Sequence, residues 1–149
     1  MQAYYTGLAR YRQMKFLEET QNWDEYFSKG NDYRGDIKQN LGKAAKTFSV
    51  DEPLHVYSRL TLWQYHKDQQ DVFNEQALAD LMSAVKAYAE HARDISPIKD
   101  VADTLLAYDE RGKAKELYRI YGDKVISSNL SDDELQNTAM SFYKQNNLE

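Results

Sequence analysis

Residues 96–126 read SPIKDVADTLLAYDERGKAKELYRIYGDKVI. Ser96 is a good N-cap, and Pro97 stands at the first helical position, where a missing N–H costs nothing. Val101, Leu105 and Tyr108 then fall at i, i+4 and i+7, one face of a helix, with Ile98 and Ala102 beside them. Gly112 breaks the run, and Ala114, Leu117, Tyr118 and Tyr121 begin a second helix at the same period. Two amphipathic helices joined by so short a turn must pack antiparallel. The spacing therefore predicts a helical hairpin.

Working outward, the same pattern recurs. Residues 2–19 are expected to form a helix with Tyr5, Leu8, Arg12 and Phe16 on one stripe, widened by Tyr4, Tyr11 and Met14. Gly7 lies in its interior at about 1 kcal/mol relative to alanine, which packing can offset. Asn22 caps a second helix, and Tyr26, Tyr33, Ile37, Leu41 and Ala45 keep its phase to Phe48. It is read as one helix, kinked near its glycines if anywhere. Ser49 and Glu52 have the spacing of a capping box before a third helix. Leu54, Val56, Tyr57, Leu60, Leu62, Trp63 and Tyr65 cover more than half of that helix, so it belongs near the centre. A fourth helix runs from about Asp71 to Arg93 with Phe73, Ala77, Leu81, Val85 and Tyr88 on its stripe. Beyond the opening hairpin, Ser131 to Glu134 is a second capping box, before a last helix with Leu135, Ala139 and Phe142.

The expected fold is thus all-α, with antiparallel hairpins at about 2–48, 51–93 and 97–127 and a final helix at 131–145, about seven helices in all. A single domain over residues 1–147 is expected. Leu148-Glu149 look like the start of a cloning scar leading into a purification tag, which leaves open whether the chain is a fragment of something longer.

Composition narrows the function classes. A net charge of −5 with no long basic run argues against nucleic acid as a partner. No stretch approaches the length of apolar sequence that a membrane span needs, and the N-terminus lacks the pattern of a signal peptide, which favours the cytoplasm. With no cysteine, disulfides, thiolate metal sites and a cysteine nucleophile are out. Glu52 and His55 have the i, i+3 spacing of a carboxylate-bridged di-iron helix, but no second copy exists, so no metal and no cofactor is expected. The glycines are isolated, no serine has a nucleophile-elbow context, and acid pairs such as Asp51-Glu52 sit at helix ends where capping explains them. No catalytic residues are assigned, and an enzyme is the least favoured reading.

Leu105, Tyr108, Gly112, Ala114 and Tyr118 carry a resemblance to tetratricopeptide (TPR-like) helical repeats. In this chain the turn after Gly112 is shorter than that family's. Tyr108 and Tyr143 are 35 residues apart, close to the family's period of roughly 34. The resemblance implies a short right-handed α-solenoid that acts as a scaffold for a protein or peptide partner. Laying its register through Tyr65, Tyr108 and Tyr143 places Arg59, Trp63, His66 and Lys67, then Asp109, then Asn137 and Lys144, on the concave face. That set suits a segment carrying an acidic or carboxylate group, held by charge-assisted hydrogen bonds. The alternative is a helical sensor or regulatory domain of a larger protein that binds a small signal or peptide, and self-association as a homo-oligomer is a further partner class.

Overall fold

In a computed structural model, residues 1–126 are described and form six α-helices: α1 (Gln2–Glu19), α2 (Trp23–Thr47), α3 (Pro53–Gln69), α4 (Asn74–His91), α5 (Ser96–Ala107) and α6 (Arg111–Ile126). No strand occurs among the described residues. The helix expected at 131–145 lies outside them. The chain divides into two compact units, the first spanning Met1–Glu90 and the second beginning at His91, where the sequence suggests one continuous domain.

In the first unit, α1, α2 and α3 pack closely on one another. Their directions follow from paired residues. Gly7 faces Leu41 and Arg10 meets Asp36 at 3.1 Å, so α1 and α2 are antiparallel. His55 Nδ1 lies 3.2 Å from the Phe48 carbonyl and Arg34 Nε donates to Gln69 at 3.0 Å, so α3 turns back along α2. Tyr11 and Lys15 of α1 both reach Asp68 near the end of α3, at 2.6 and 3.2 Å. The result is an up-down-up bundle around Tyr4, Tyr11, Met14, Leu17, Tyr33, Ile37, Leu41, Ala44 and Tyr65. Burial raises the pKa of the Tyr4 phenol, with Arg12 opposing.

α1 buries a different stripe from the one its sequence suggests. Tyr4, Gly7, Tyr11, Met14 and Leu17 face inward, while Tyr5 and Phe16 are exposed. The reason is Gly7: its bare backbone lets Leu41 sit where a side chain would stand, and that fixes which side of α1 meets α2. α2 is one helix through all its glycines, capped by Asn22, whose side chain accepts the Glu25 N–H.

α3 is central, as its apolarity requires. One side carries Tyr57 and Tyr65 against the bundle core, and the other carries Val56, Leu60 and Trp63, also buried. It starts at Pro53, later than a capping box on Ser49 would place it. Ser49 Oγ donates to Glu52 and Asp51 instead of accepting from the helix, and the Glu52 carboxylate takes the Ser49 N–H. The close backbone neighbour of α3 is α2, and α3 meets α4 through side chains such as Arg59 and Asp80. The described helices show no tetratricopeptide-type repeat.

In the second unit α5 and α6 form a close pair. Ile98, Val101, Ala102 and Leu105 are buried on α5, and Ala114, Leu117 and Tyr118 on α6. Tyr118 donates to Asp103 at 2.6 Å, and Lys99 reaches the other Asp103 oxygen at 2.9 Å. The α5 start is held by Asp94, which accepts the Ser96 N–H, so Ser96 is the first helical residue and not the cap. Nor does Gly112 make the turn. Asp109 does, at φ 63°, with Glu110 N–H bonding Leu105 O and Asp109 N–H bonding Leu106 O. That is a Schellman motif with aspartate in the left-handed position. Gln21 and Gln70 close α1 and α3 by the same pair of bonds. No glycine among the described residues has positive φ.

Candidate functional site

The first unit carries a groove of about 380 Å³ between α2, α3 and α4. Its wall on α3 is Arg59, Leu62 and His66, residues separated by three and four, which puts them on one flank of the helix. Lys38 of α2 stands on one side, with Phe73, Gln76, Ala77 and Asp80 on the other. The α3 to α4 turn shapes the mouth. Gln70 takes the left-handed conformation at φ 52°, and Asp71 Oδ1 accepts the Phe73 N–H at 2.9 Å. α4 therefore begins at Asn74, later than Asp71, and Phe73 leaves the core stripe expected of it to become 61 % exposed at the rim.

His66 is the most buried polar side chain of the groove. Its ring is buried among Tyr65 and Phe73, with centroids at 5.1 and 5.8 Å, and Nδ1 lies 2.8 Å from Asp71 Oδ2. A carboxylate only accepts, so Nδ1 carries the proton, and Nε2 is the lone-pair nitrogen of the neutral ring. Burial raises the pKa of the neighbouring Tyr65 phenol, with the Arg34 guanidinium pulling the other way. Arg59 and Asp80 approach only to 3.9 Å. At that distance the ion pair has no hydrogen bond, and the guanidinium donors remain available to another acceptor. Lys38 makes no ion pair among the described residues. Two cations thus share with one carboxylate, Asp80, a groove that also carries apolar surface from Leu62, Phe73 and Ala77 beside Gln76 and His66, on a chain of net charge −5.

The candidate residues separate on this geometry. Arg59 and His66 are brought together in the groove. Trp63 is 0 % exposed on another side of α3, so its indole is interior packing and not a contact surface. Lys67 follows His66 but is turned about 100° around the helix, away from the groove flank. Asp109 closes α5 as the left-handed turn residue. Asn137 and Lys144 lie outside the described residues. Lys38, Leu62, Phe73, Gln76, Ala77 and Asp80 are the groove residues that sequence reasoning missed. Asp80 and Ala77 share a helical face with Phe73 at i+7 and i+4, a legible signal, whereas nothing local ties Lys38 to them.

His55 is buried, and its ring bonds the Phe48 carbonyl across the α2 to α3 turn, which gives it a structural role. No helix among the described residues is long and apolar enough to cross a membrane. No protein-family model, curated protein or solved structure matches the chain.

Proposed function

We propose that the chain is a partner-binding module without catalysis of its own, and that its groove between α2, α3 and α4 takes a protein or peptide segment pairing an acidic group with an apolar side chain. One observation carries this reading: Arg59 and Lys38 line a groove that also presents apolar surface from Leu62, Phe73 and Ala77, beside His66, Gln76 and Asp80. Charge-assisted hydrogen bonds to a carboxylate would fix orientation, while the apolar walls would supply burial. A preformed groove on packed helices loses little order on binding, which suits a scaffold. Superhelical stacking of a solenoid is not needed for it. The groove's volume also falls within the range of small-molecule sites, which supports the second reading, a regulatory domain that senses a small amphiphilic anion.

The test is a pool of short synthetic peptides, each with Asp or Glu next to Leu or Phe, followed by amide chemical-shift mapping. Shifts are expected on residues lining the groove, and Arg59→Ala is expected to weaken binding by about tenfold or more. Binding that maps elsewhere, or a folded Arg59→Ala variant that binds as tightly as the parent, would sink the assignment. Trp63→Ala, by contrast, probes the fold.

A further inference from the structure

We propose that recognition in this groove is proton-linked through His66, and that the smallest ligand able to use it is an amphiphilic monocarboxylate, an apolar body with one carboxylate at its end. The inference rests on the partner-binding reading and deepens it.

The groups around His66 come from every neighbouring element. α2 contributes Lys38, α3 contributes Arg59, the α3 to α4 turn contributes Asp71, and α4 contributes Asp80. Asp71 is engaged twice, by His66 Nδ1 and by the Phe73 N–H. It therefore holds the imidazole in one tautomer and ties the ring to the residue that forms the apolar rim. With Nδ1 committed, neutral His66 keeps a lone pair on Nε2, which repels a carboxylate oxygen. Protonation turns Nε2 into a donor and adds a third cation to Lys38 and Arg59, against the carboxylates of Asp80 and Asp71.

The sign follows directly. A carboxylate ligand favours protonated His66, so binding takes up a proton and affinity rises as pH falls from neutrality into mild acid. The ligand stays ionised over that span, because carboxylic acids titrate near 4. Leu62, Phe73 and Ala77 supply the apolar surface, and Phe73 at 61 % exposure has a ring available to cover an apolar body.

Phenylbutyrate is the probe, with its neutral amide as the control, measured by calorimetry in two buffers of different ionisation enthalpy. The acid is expected to bind roughly fivefold tighter at about pH 5.5 than at about pH 7.5. It should take up a fraction of a proton near the midpoint, while the amide binds more weakly and without pH dependence. His66→Gln is expected to flatten the pH profile, because its amide gains no proton over this range. Should that variant fail to fold, the parent answers alone: the His66 ring-proton titration should move to higher pH in the presence of phenylbutyrate. An unmoved titration, a flat affinity profile, or an amide that binds as well as the acid would overturn the proposal. Acidic peptides that shift the groove residues equally at both pH values would overturn it too, yet leave the partner-binding reading standing. Peptides that touch the groove at neither pH would remove both.

Discussion

Replacing Gly7 by alanine sets helix propensity directly against packing. In an exposed helix interior the change favours folding by about 1 kcal/mol, since alanine loses less backbone entropy. At Gly7 the added Cβ would stand 2.7 Å from Leu41 Cγ, 2.9 Å from Cδ2 and 3.3 Å from the Leu41 backbone nitrogen. Carbon pairs rest at about 3.5–4.0 Å, so the shortest contact is about 1 Å too close. Cγ is one bond from the helix-bound Cβ of a residue with 0 % exposure, so the leucine has no room to swing away, and the backbone nitrogen moves only with α2 itself. Overpacking of this kind costs about 1–3 kcal/mol. Towards the upper end of that range, and after the propensity gain, Gly7→Ala is expected to destabilise by about 1–2 kcal/mol. Urea unfolding followed by helical circular dichroism reads this as a lower midpoint at unchanged slope. Gly35→Ala and Gly42→Ala are the internal controls. A Cβ at either position meets nothing within 4 Å, so propensity alone acts and each should stabilise by up to about 1 kcal/mol. A Gly7→Ala protein as stable as the parent, or raised like the two controls, would refute the close approach of α1 and α2 at this point.

Asp109→Gly should raise stability by about 0.5–1 kcal/mol in thermal unfolding, because it relieves a left-handed non-glycine residue without touching the two Schellman bonds; no change would mean that the aspartate is unstrained there. Tyr118→Phe deletes the 2.6 Å bond to Asp103 and should cost about 1 kcal/mol by urea midpoint, the exposed side of Asp103 keeping the loss modest. Stability should also fall in alkali. Tyr4, Tyr65 and Tyr118 keep their phenolic protons in the fold beyond the unfolded value of 10.0, burial being the leading cause, with the Asp103 bond adding to it for Tyr118. The native chain then binds more protons than the unfolded one above about pH 10, so this stability is complete below that pH and declines as pH rises towards the folded values. The limiting slope is about 1.4 kcal/mol per pH unit for each such tyrosine, measurable as urea midpoints on either side of pH 10 and shallower in Tyr118→Phe. An unfolding midpoint flat from neutrality to strong alkali would contradict it.

Much of the fold was legible because helix signals are local. The bounds of α1, the Asn22 cap, the unbroken α2 and the antiparallel α5–α6 pair all follow from residues within a few turns of one another. The central place of α3 was legible too, since apolar residues around its circumference require burial on opposite sides. The site was legible only in part. Arg59 and His66 share a helix flank by spacing alone, but Lys38 joins them from another helix, and Phe73 is placed by the Gln70 turn.

What the sequence determined by itself is where the chain is helical and which residues sit in helical register with one another. Those properties depend on neighbours at i+3 and i+4. Only the tertiary structure decided which way each helix faces. α1 carries apolar residues on two adjoining stripes, Tyr5 with Phe16 and Tyr4 with Tyr11, Met14 and Leu17. Pattern cannot rank them. The second is buried because it contains Gly7, the one position where Leu41 of α2 can come within contact of the α1 backbone, and that complementarity exists only once the two helices meet.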